Sequence, residues 1–376
     1  MTFISLQENL KQGLAIVSRV VSKNINLPIL NNILFKVNKS NIELVATNLE
    51  MGITHQVRGK IDSEGEFTVD SKVITDYINL LPGDKVECEQ DRMEIKIKCQ
   101  NYKTKIHVQE ASDFPLIPKV DKENFYSILA DDLRNALGEV IFAVTNNETR
   151  LELSGVLLTF TKDNLTLVGT DSYRLAEKKI KIKSNYENPN NKVIIPARTL
   201  QELIRVLSGF KDDDRLEGAG EIKICLSDNQ VLFIFGSTEL VSRLINGSYP
   251  DYQQIIPLNY KTRVLINKNE LMRAIKASAI FSKAGVNDVA LDFRAETGKI
   301  TISSASSQVG ESSVELNSEI EGDNNEIIIN YRYFLDGLNN ISSDMVKLDL
   351  VNSGTPCVLR PEKSDDYLYI VMPIRQ

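Results

Sequence analysis

The chain is poor in the groups on which most catalysis depends. Its 376 residues include only two histidines, His55 and His107, and both fall in alternating segments that read as strands, where a structural role is the simpler one. No GxxxxGKS/T or GxGxxG loop is present to cradle a phosphate, and there is no GxSxG elbow and no HExxH pair. The four cysteines, Cys88, Cys99, Cys225 and Cys357, are scattered without a CxxC spacing. They read as free buried thiols of a reducing compartment, and neither a metal nor a cofactor is expected. The run Asp212-Asp213-Asp214 sits in a polar stretch ending at Gly218 and Gly220, the setting of a solvated loop. No apolar run reaches the roughly 18 residues of a membrane span. The first residues, MTFISLQENLKQGL, lack the basic start and apolar stretch of a secretion signal, so a cytoplasmic location is expected. A net charge of -7 argues against coating by nucleic acid through bulk charge. It leaves room for a local basic surface, because attraction to phosphate acts over roughly 8–10 Å.

What is present is the balance of a globular protein, 42% hydrophobic and 25% charged. The dominant pattern is an internal repeat. In the first unit, Leu6, Leu10, Leu14, Val17 and Val21 set a helical period, and strands follow over 33–37, 42–46 and 53–57. A second helix spans 71–81, capped by Ser71 or Asp70 and stopped by Pro82-Gly83, before strands at 85–89, 93–99 and 103–108. The second unit repeats this with helices at 131–143 and 197–207. Its strands lie at 156–161, 164–168, 178–182, 221–226, 230–235 and 239–245. In the third, the helices are 267–282, with Asn267 and Glu270 in capping-box spacing, and 331–341. Its strands are 290–294, 299–303, 312–316, 346–351, 357–360 and 367–371. Thr47, Thr170 and Ser303 take one place in the three units, 123 and 133 positions apart. The strand-end residues before each second helix, Val69, Ile195 and Ile329, are 126 and 134 apart. The expected fold is α+β, with three tandem domains at 1–124, 125–261 and 262–376, each holding two helices on antiparallel sheets.

One stretch stands out within the repeat. VGTDSYRLA, Val168 to Ala176, closes an alternating run; read locally, it is a turn with a satisfied Asp171–Arg174 pair. Unit one carries only a partial echo, VATNLEMG, and unit three has SSASSQ. Charge is also patterned. The first helix of unit one carries Lys11, Arg19 and Lys23; its counterpart in unit three carries Lys268, Arg273, Lys276 and Lys283. Arg198 and Arg205 lie on the second helix of unit two. If equivalent helices share a surface, it is basic on an acidic protein and suits sequence-independent contact with a phosphate backbone. Three readings stand at this point: a scaffold that holds DNA, an enzyme or small-molecule binder built on VGTDSYRLA, and a structural repeat with no nucleic-acid role.

The triple repeat with NLPILNNILF, TNLEMG, GTDSYRLA, YPDY and the C-terminal YIVMPIR resembles the bacterial DNA polymerase III β subunits, the sliding clamps, over residues 1 to 376. The resemblance implies a non-catalytic processivity factor: a head-to-tail homodimer that rings double-stranded DNA without reading sequence. It also implies one peptide pocket per chain for short motifs of the polymerase catalytic subunit, the clamp loader, other DNA polymerases and repair proteins. Carried over by motif, the pocket residues are Leu153, Thr170, Arg174, Leu175, Pro250, Ile255, Asn330, Tyr333, Ile370, Met372 and Arg375. Candidate DNA contacts are Lys23, Asn24, Asn147 and Arg150, together with Arg198, Arg205 and Lys276 on the basic helices. The implied dimer contact pairs Thr104 and Ile106 with Ile280 and Phe281. Ser172-Tyr173 stands where the family commonly has Gly-His, Gln254 where it often has arginine, and Ile374 where it often has methionine. VGTDSYRLA then becomes one wall of the pocket, with the C-terminus as the other and Asp171 orienting Arg174.

Overall fold

A computed structural model describes residues 1–21, 25–145, 149–209, 220–283 and 285–374. Six helices lie among them: α1 (Gln7–Val17), α2 (Ser71–Leu80), α3 (Ala130–Ile141), α4 (Ala197–Ser208), α5 (Lys268–Ala279) and α6 (Tyr331–Asn339). Every one is entered directly from a short strand: Thr2–Leu6, Gly65–Asp70, Tyr126–Leu129, Asn191–Pro196, Thr262–Asn267 and Asn325–Asn330. Three of the junction residues cap the helix that follows. Asp70 accepts the N–H of Val73, Asn267 those of Asn269 and Glu270, and Asn330 those of Arg332 and Tyr333. Three antiparallel strands follow α2, α4 and α6, and three with a short fourth (Gly59–Ser63, Lys183–Ser184 or Glu319–Gly322) follow α1, α3 and α5, so each of the three domains holds two copies of a strand–helix–three-strand unit with one short strand added between them. The sequence pattern shows the helices, and strand ends at Val69, Ile195 and Ile329 before α2, α4 and α6, but not the strands that lead into α1, α3 and α5. No turn residue separates the two; Leu6, for example, is still extended (φ -70°, ψ 143°) where α1 begins at Gln7.

Contacts divide the chain into two compact units. The first comprises Met1–Asp131, Lys183–Pro189 and Arg198–Leu244; the second comprises Asp132–Ile182, Asn190–Ala197 and Ile245–Gln376. The first unit holds a five-stranded sheet ending at Tyr102–His107 and a nine-stranded sheet. The nine-stranded sheet is sewn together where Met51–His55 pairs antiparallel with Thr238–Ser242. In the second unit, a nine-stranded sheet is sewn where Arg174–Lys178 pairs with Tyr367–Val371, and a four-stranded sheet ends at Gly310–Asn317.

Ladder partners followed outward from the residue before each helix put Met51 in the place of Arg174 and Ser242 in that of Val371. The two seams therefore share one register. The same ladders confirm Thr47 and Thr170 as equivalents but place Ala305 there in the third domain, two residues beyond Ser303.

The cores are built as the alternation requires. Phe35 stacks on Phe3 and Phe67 at ring distances of 6.4 and 5.0 Å in the first domain. In the second unit α6 lies so close to the strand Tyr367–Val371 that a Cβ on Gly337 would meet the Tyr369 ring at 2.2 Å, so only glycine fits there.

Candidate partner-binding site

The site grows from the hairpin that joins Asn164–Thr170 to Arg174–Lys181, the strand resuming at Arg174 rather than at Lys178. Thr170 Oγ1 donates to the Arg174 carbonyl (2.6 Å) and accepts the N–H of Ser172 (3.1 Å). Asp171 Oδ1 accepts the N–H groups of Tyr173 (2.9 Å) and Arg174 (3.0 Å), which holds Ser172 at φ 79°. The first domain makes the same turn. Thr47 Oγ1 donates to the Met51 carbonyl (2.9 Å) and accepts from Leu49 (3.1 Å), Asn48 Oδ1 accepts from Glu50 and Met51, and Leu49 has φ 74°. Architecture thus accounts for Thr170 and one oxygen of Asp171. What sets the second domain apart is the other oxygen: Asp171 Oδ2 accepts from Arg174 Nε at 2.9 Å. An asparagine closes the turn; a carboxylate also holds the arginine.

Arg174 is the hub. Its Nη1 donates to Asp336 Oδ2 (2.5 Å) and its Nη2 to the Phe142 carbonyl (2.9 Å). The guanidinium lies 4.7 Å from the Tyr333 ring centre and 5.6 Å from that of Phe142. Burial disfavours its charge, but Tyr369, Asp171 and Asp336 outweigh that and hold its pKa above the ordinary value.

The C-terminal segment closes against this hub. The Tyr369 hydroxyl donates to the Tyr333 carbonyl (2.8 Å), the Met372 N–H to the Tyr173 carbonyl (2.9 Å), and the Ile374 N–H to the Ile328 carbonyl (2.8 Å). Residues 372–374 therefore clip between the hairpin and the strand Asn325–Asn330. Beneath lies an apolar floor in which Leu153, Leu175 and Ile370 are buried with Leu157, Val168, Ile194, Tyr249, Val358 and Leu368. The segment after residue 248 is pinned from both ends: Tyr249 donates to the Val168 carbonyl (3.3 Å) and Tyr252 to Glu177 Oε2 (2.7 Å). Burial, with Glu177 adding to it, pushes the Tyr252 hydroxyl well above its usual pKa, so the hydroxyl remains a donor. This anchoring sets Pro250 half-buried and Ile255 exposed at the edge.

The structure brings together ten of the eleven expected pocket residues in one unit; Arg375 lies outside the described residues. Two of them also serve the fold: Thr170 Oγ1 donates and accepts within the turn, and the Asn330 side-chain oxygen caps α6. Tyr173, Tyr252, Glu177, Phe142 and Asp336 also build the site. Phe142 and Asp336 gave no local signal, since they meet Arg174 across 32 and 162 residues. Lys23, Asn24 and Asn147 lie outside the described residues. Arg150 stands beside the hairpin, with Nη1 donating to Ser172 Oγ (3.0 Å) and Nε pairing with Glu152 (3.2 Å). Arg198 and Lys276 are exposed on α4 and α5, and Arg205 pairs with Glu202 at 2.5 Å. Thr104 and Ile106 are half-exposed on the edge strand Tyr102–His107. Ile280 is 69% exposed, and Phe281 comes within 3.8 Å of where a Gly310 Cβ would stand, at the start of the other edge strand. His55 is buried, with Nδ1 2.8 Å from Thr238 Oγ1, and all four cysteines are buried free thiols. Burial raises the Cys88 thiol to about 12.

Known proteins match along the whole chain. Family models of the DNA polymerase III beta subunit match as N-terminal domain over residues 1–118, central domain over 127–251 and C-terminal domain over 253–375. The beta sliding clamps of Staphylococcus epidermidis and Staphylococcus aureus are each 28% identical over 369 residues, covering 95% of this chain and 94% of theirs. The beta subunit structure from Pseudomonas aeruginosa superposes with a TM-score of 0.91 at 27% identity over 100% of both chains. That from Thermotoga maritima does so with a TM-score of 0.90 at 26% identity, over 100% of this chain and 99% of that one. The chain belongs to the DNA polymerase III beta subunit family, the bacterial sliding clamps, whose part in DNA replication is non-catalytic.

Proposed function

We propose that two copies of this chain close head to tail into a ring around double-stranded DNA and tether the replicative polymerase to it. The observation that carries this is a seam left unmade. Met51–Val57, Arg174–Lys181 and Gly310–Asn317 are equivalent strands, as are Thr238–Arg243, Tyr367–Val371 and Tyr102–His107. Two strands of the first set pair with two of the second, while Gly310–Asn317 and Tyr102–His107 are left as sheet edges. An exposed edge is a template for pairing, and a heterologous contact that closes makes a ring.

The register of the other two seams sets the third. Tyr102 of one copy falls opposite Val314 of the other, Thr104 opposite Ser312, Lys105 opposite Glu311, and Ile106 opposite Gly310. Ile106 then reaches the Phe281 ring beside Gly310, and Lys105 finds an opposite charge, which supports Thr104, Ile106, Ile280 and Phe281 as the contact.

Three domains per chain, taken as 1–124, 125–261 and 262–376, give six in the ring. Lys23, Asn24, Asn147, Arg150, Arg198, Arg205 and Lys276 are the candidate phosphate contacts, loose enough for sliding because none reads a base. The site around Arg174 holds the short linear motifs of the polymerase catalytic subunit, the clamp loader, and other polymerases and repair proteins. Its apolar floor takes their aliphatic and aromatic anchors. The protein works in the cytoplasm; among the described residues no helix is long and apolar enough to cross a membrane. The mass in solution tests the dimer: it should lie near twice the 42.2 kDa of one chain. A monomer at micromolar concentration contradicts the ring.

A further inference from the structure

Each compact unit has a segment lying across its nine-stranded sheet, and the two segments differ in length. Both open on an aromatic-proline pair, Phe114-Pro115 and Tyr249-Pro250, and close on an isoleucine-proline pair, Ile117-Pro118 and Ile256-Pro257. Phe114 and Tyr249 are each 6% exposed. Ile117 sits over Gly52, its Cδ1 2.7 Å from where a Cβ would stand. Ile256 packs on the cluster that includes Leu175, the residue in the place of Gly52. Between these fixed points the second segment has four more residues, as many as form its turn Tyr252–Ile255.

The turn fills space in the second unit. Cross-strand partners share a face, and one row there runs Leu157, Val168, Glu177, Leu368. Tyr252 packs against the apolar cluster that holds the first, second and fourth of these, and its hydroxyl donates to Glu177 (2.7 Å). The equivalent row of the first unit runs Leu34, Val45, Thr54, Glu239. Among the described residues none takes the place of Tyr252 on it. A cleft of about 790 Å³ lies there instead, with Leu34, Val45, Thr54, Phe114 and Glu239 in its lining. The row keeps its carboxylate one strand further on, because Glu239 stands opposite Thr54 as Leu368 stands opposite Glu177. Glu239 Oε1 pairs with Lys122 (2.5 Å), and no donor meets its other oxygen among the described residues.

The charges of the cleft select its occupant. Lys36, Lys119 and Lys122 line it together with Glu43, Glu66 and Glu239, three cations against three anions. A charged guest of either sign meets as much like charge as opposite charge. An apolar shelf of Leu34 and Val45 with a carboxylate on its rung suits a neutral aromatic ring that carries a hydrogen-bond donor. We propose that this cleft is a second docking site, separate from the Arg174 site, and that it takes a tyrosine side chain from a segment of a partner protein. The ring lies over Leu34 and Val45, as Tyr252 lies on its own row, and the hydroxyl donates to Glu239.

The probes are the end-blocked pentapeptide Asp-Tyr-Gln-Gln-Ile, the sequence of residues 251–255, and its analogue with phenylalanine for tyrosine, each titrated into the full-length protein. The tyrosine peptide should bind about fivefold tighter, the scale of one hydrogen bond to a charged group at a half-exposed rim. Glu239→Leu should remove that preference. Thr54→Trp, which fills the cleft from its own strand, should abolish binding of both peptides, with circular dichroism as the control on the fold. Truncation before Met372 should change neither affinity. Binding of neither peptide, equal binding of the two, or a preference that survives Glu239→Leu overturns the proposal. Loss of binding on truncation before Met372 also overturns it, by placing the peptide at the Arg174 site. N-acetyltyrosinamide binding as tightly as the pentapeptide overturns docking of a segment in favour of a small-molecule site.

Discussion

Ile106→Asp should turn the dimer into a monomer. In the inferred seam Ile106 lies opposite Gly310 against the Phe281 ring, the end pair of a five-pair ladder. A carboxylate there would be stripped of water with no cation to answer it, since Lys105 points to the other face of the strand. The expected loss is roughly 3 kcal/mol or more, above about a hundredfold in the dimer Kd. The fold should survive, because Ile106 sits on an edge strand and is only half-buried. Sedimentation at several concentrations reads the result, with circular dichroism as the control. An unchanged dimer places the contact elsewhere. Lys105→Glu with Glu311→Lys refines the register: each change alone should weaken the dimer, and the two together should restore much of it.

Truncation before Met372 should abolish peptide binding at the Arg174 site and leave the dimer intact. The truncation removes the bond from the Met372 N–H to the Tyr173 carbonyl, the bond from Ile374 to Ile328, and the side chain of Met372 itself. The hairpin then loses the wall that faces it, and an anchor wall of this kind is worth about 2 kcal/mol or more, a factor of at least roughly thirty. The strand Tyr367–Val371 remains in its sheet, so the floor stays. Isothermal titration with a polymerase-derived peptide reads the first effect and sedimentation the second. Undiminished affinity would remove the C-terminal clip from the site; loss of the dimer as well would show that the truncation unsettled the fold.

The helices and the long strands were legible in the sequence because their apolar periods run for ten residues or more or are bounded by turns. The strands that feed α1, α3 and α5 were not. Thr262–Asn267 passes into α5 without a break, and an alternation of six residues merges with the helical period after it. The hairpin shows a subtler loss. TNLEMG and TDSYRL look unlike, yet Asn48 and Asp171 make the same turn because both offer a side-chain oxygen two and three residues ahead of an N–H. Only the spare oxygen of Asp171, with Arg174 in place of Met51, separates scaffold from site. The partners that complete Arg174 come from α6 and from the end of α3, and no local pattern links them. The seam register was likewise invisible in sequence, since it rests on ladders that pair residues up to 197 positions apart, as Arg174 with Val371.

The most direct measurement concerns topology. Protein loaded onto closed circular duplex DNA should remain bound through a high-salt wash and be lost when a single cut linearises the circle. A ring is held by its linkage, whereas phosphate contacts weaken with salt and do not register an end. Retention that is equal on circular and linear DNA, or release from the circle by salt alone, would contradict an encircling clamp.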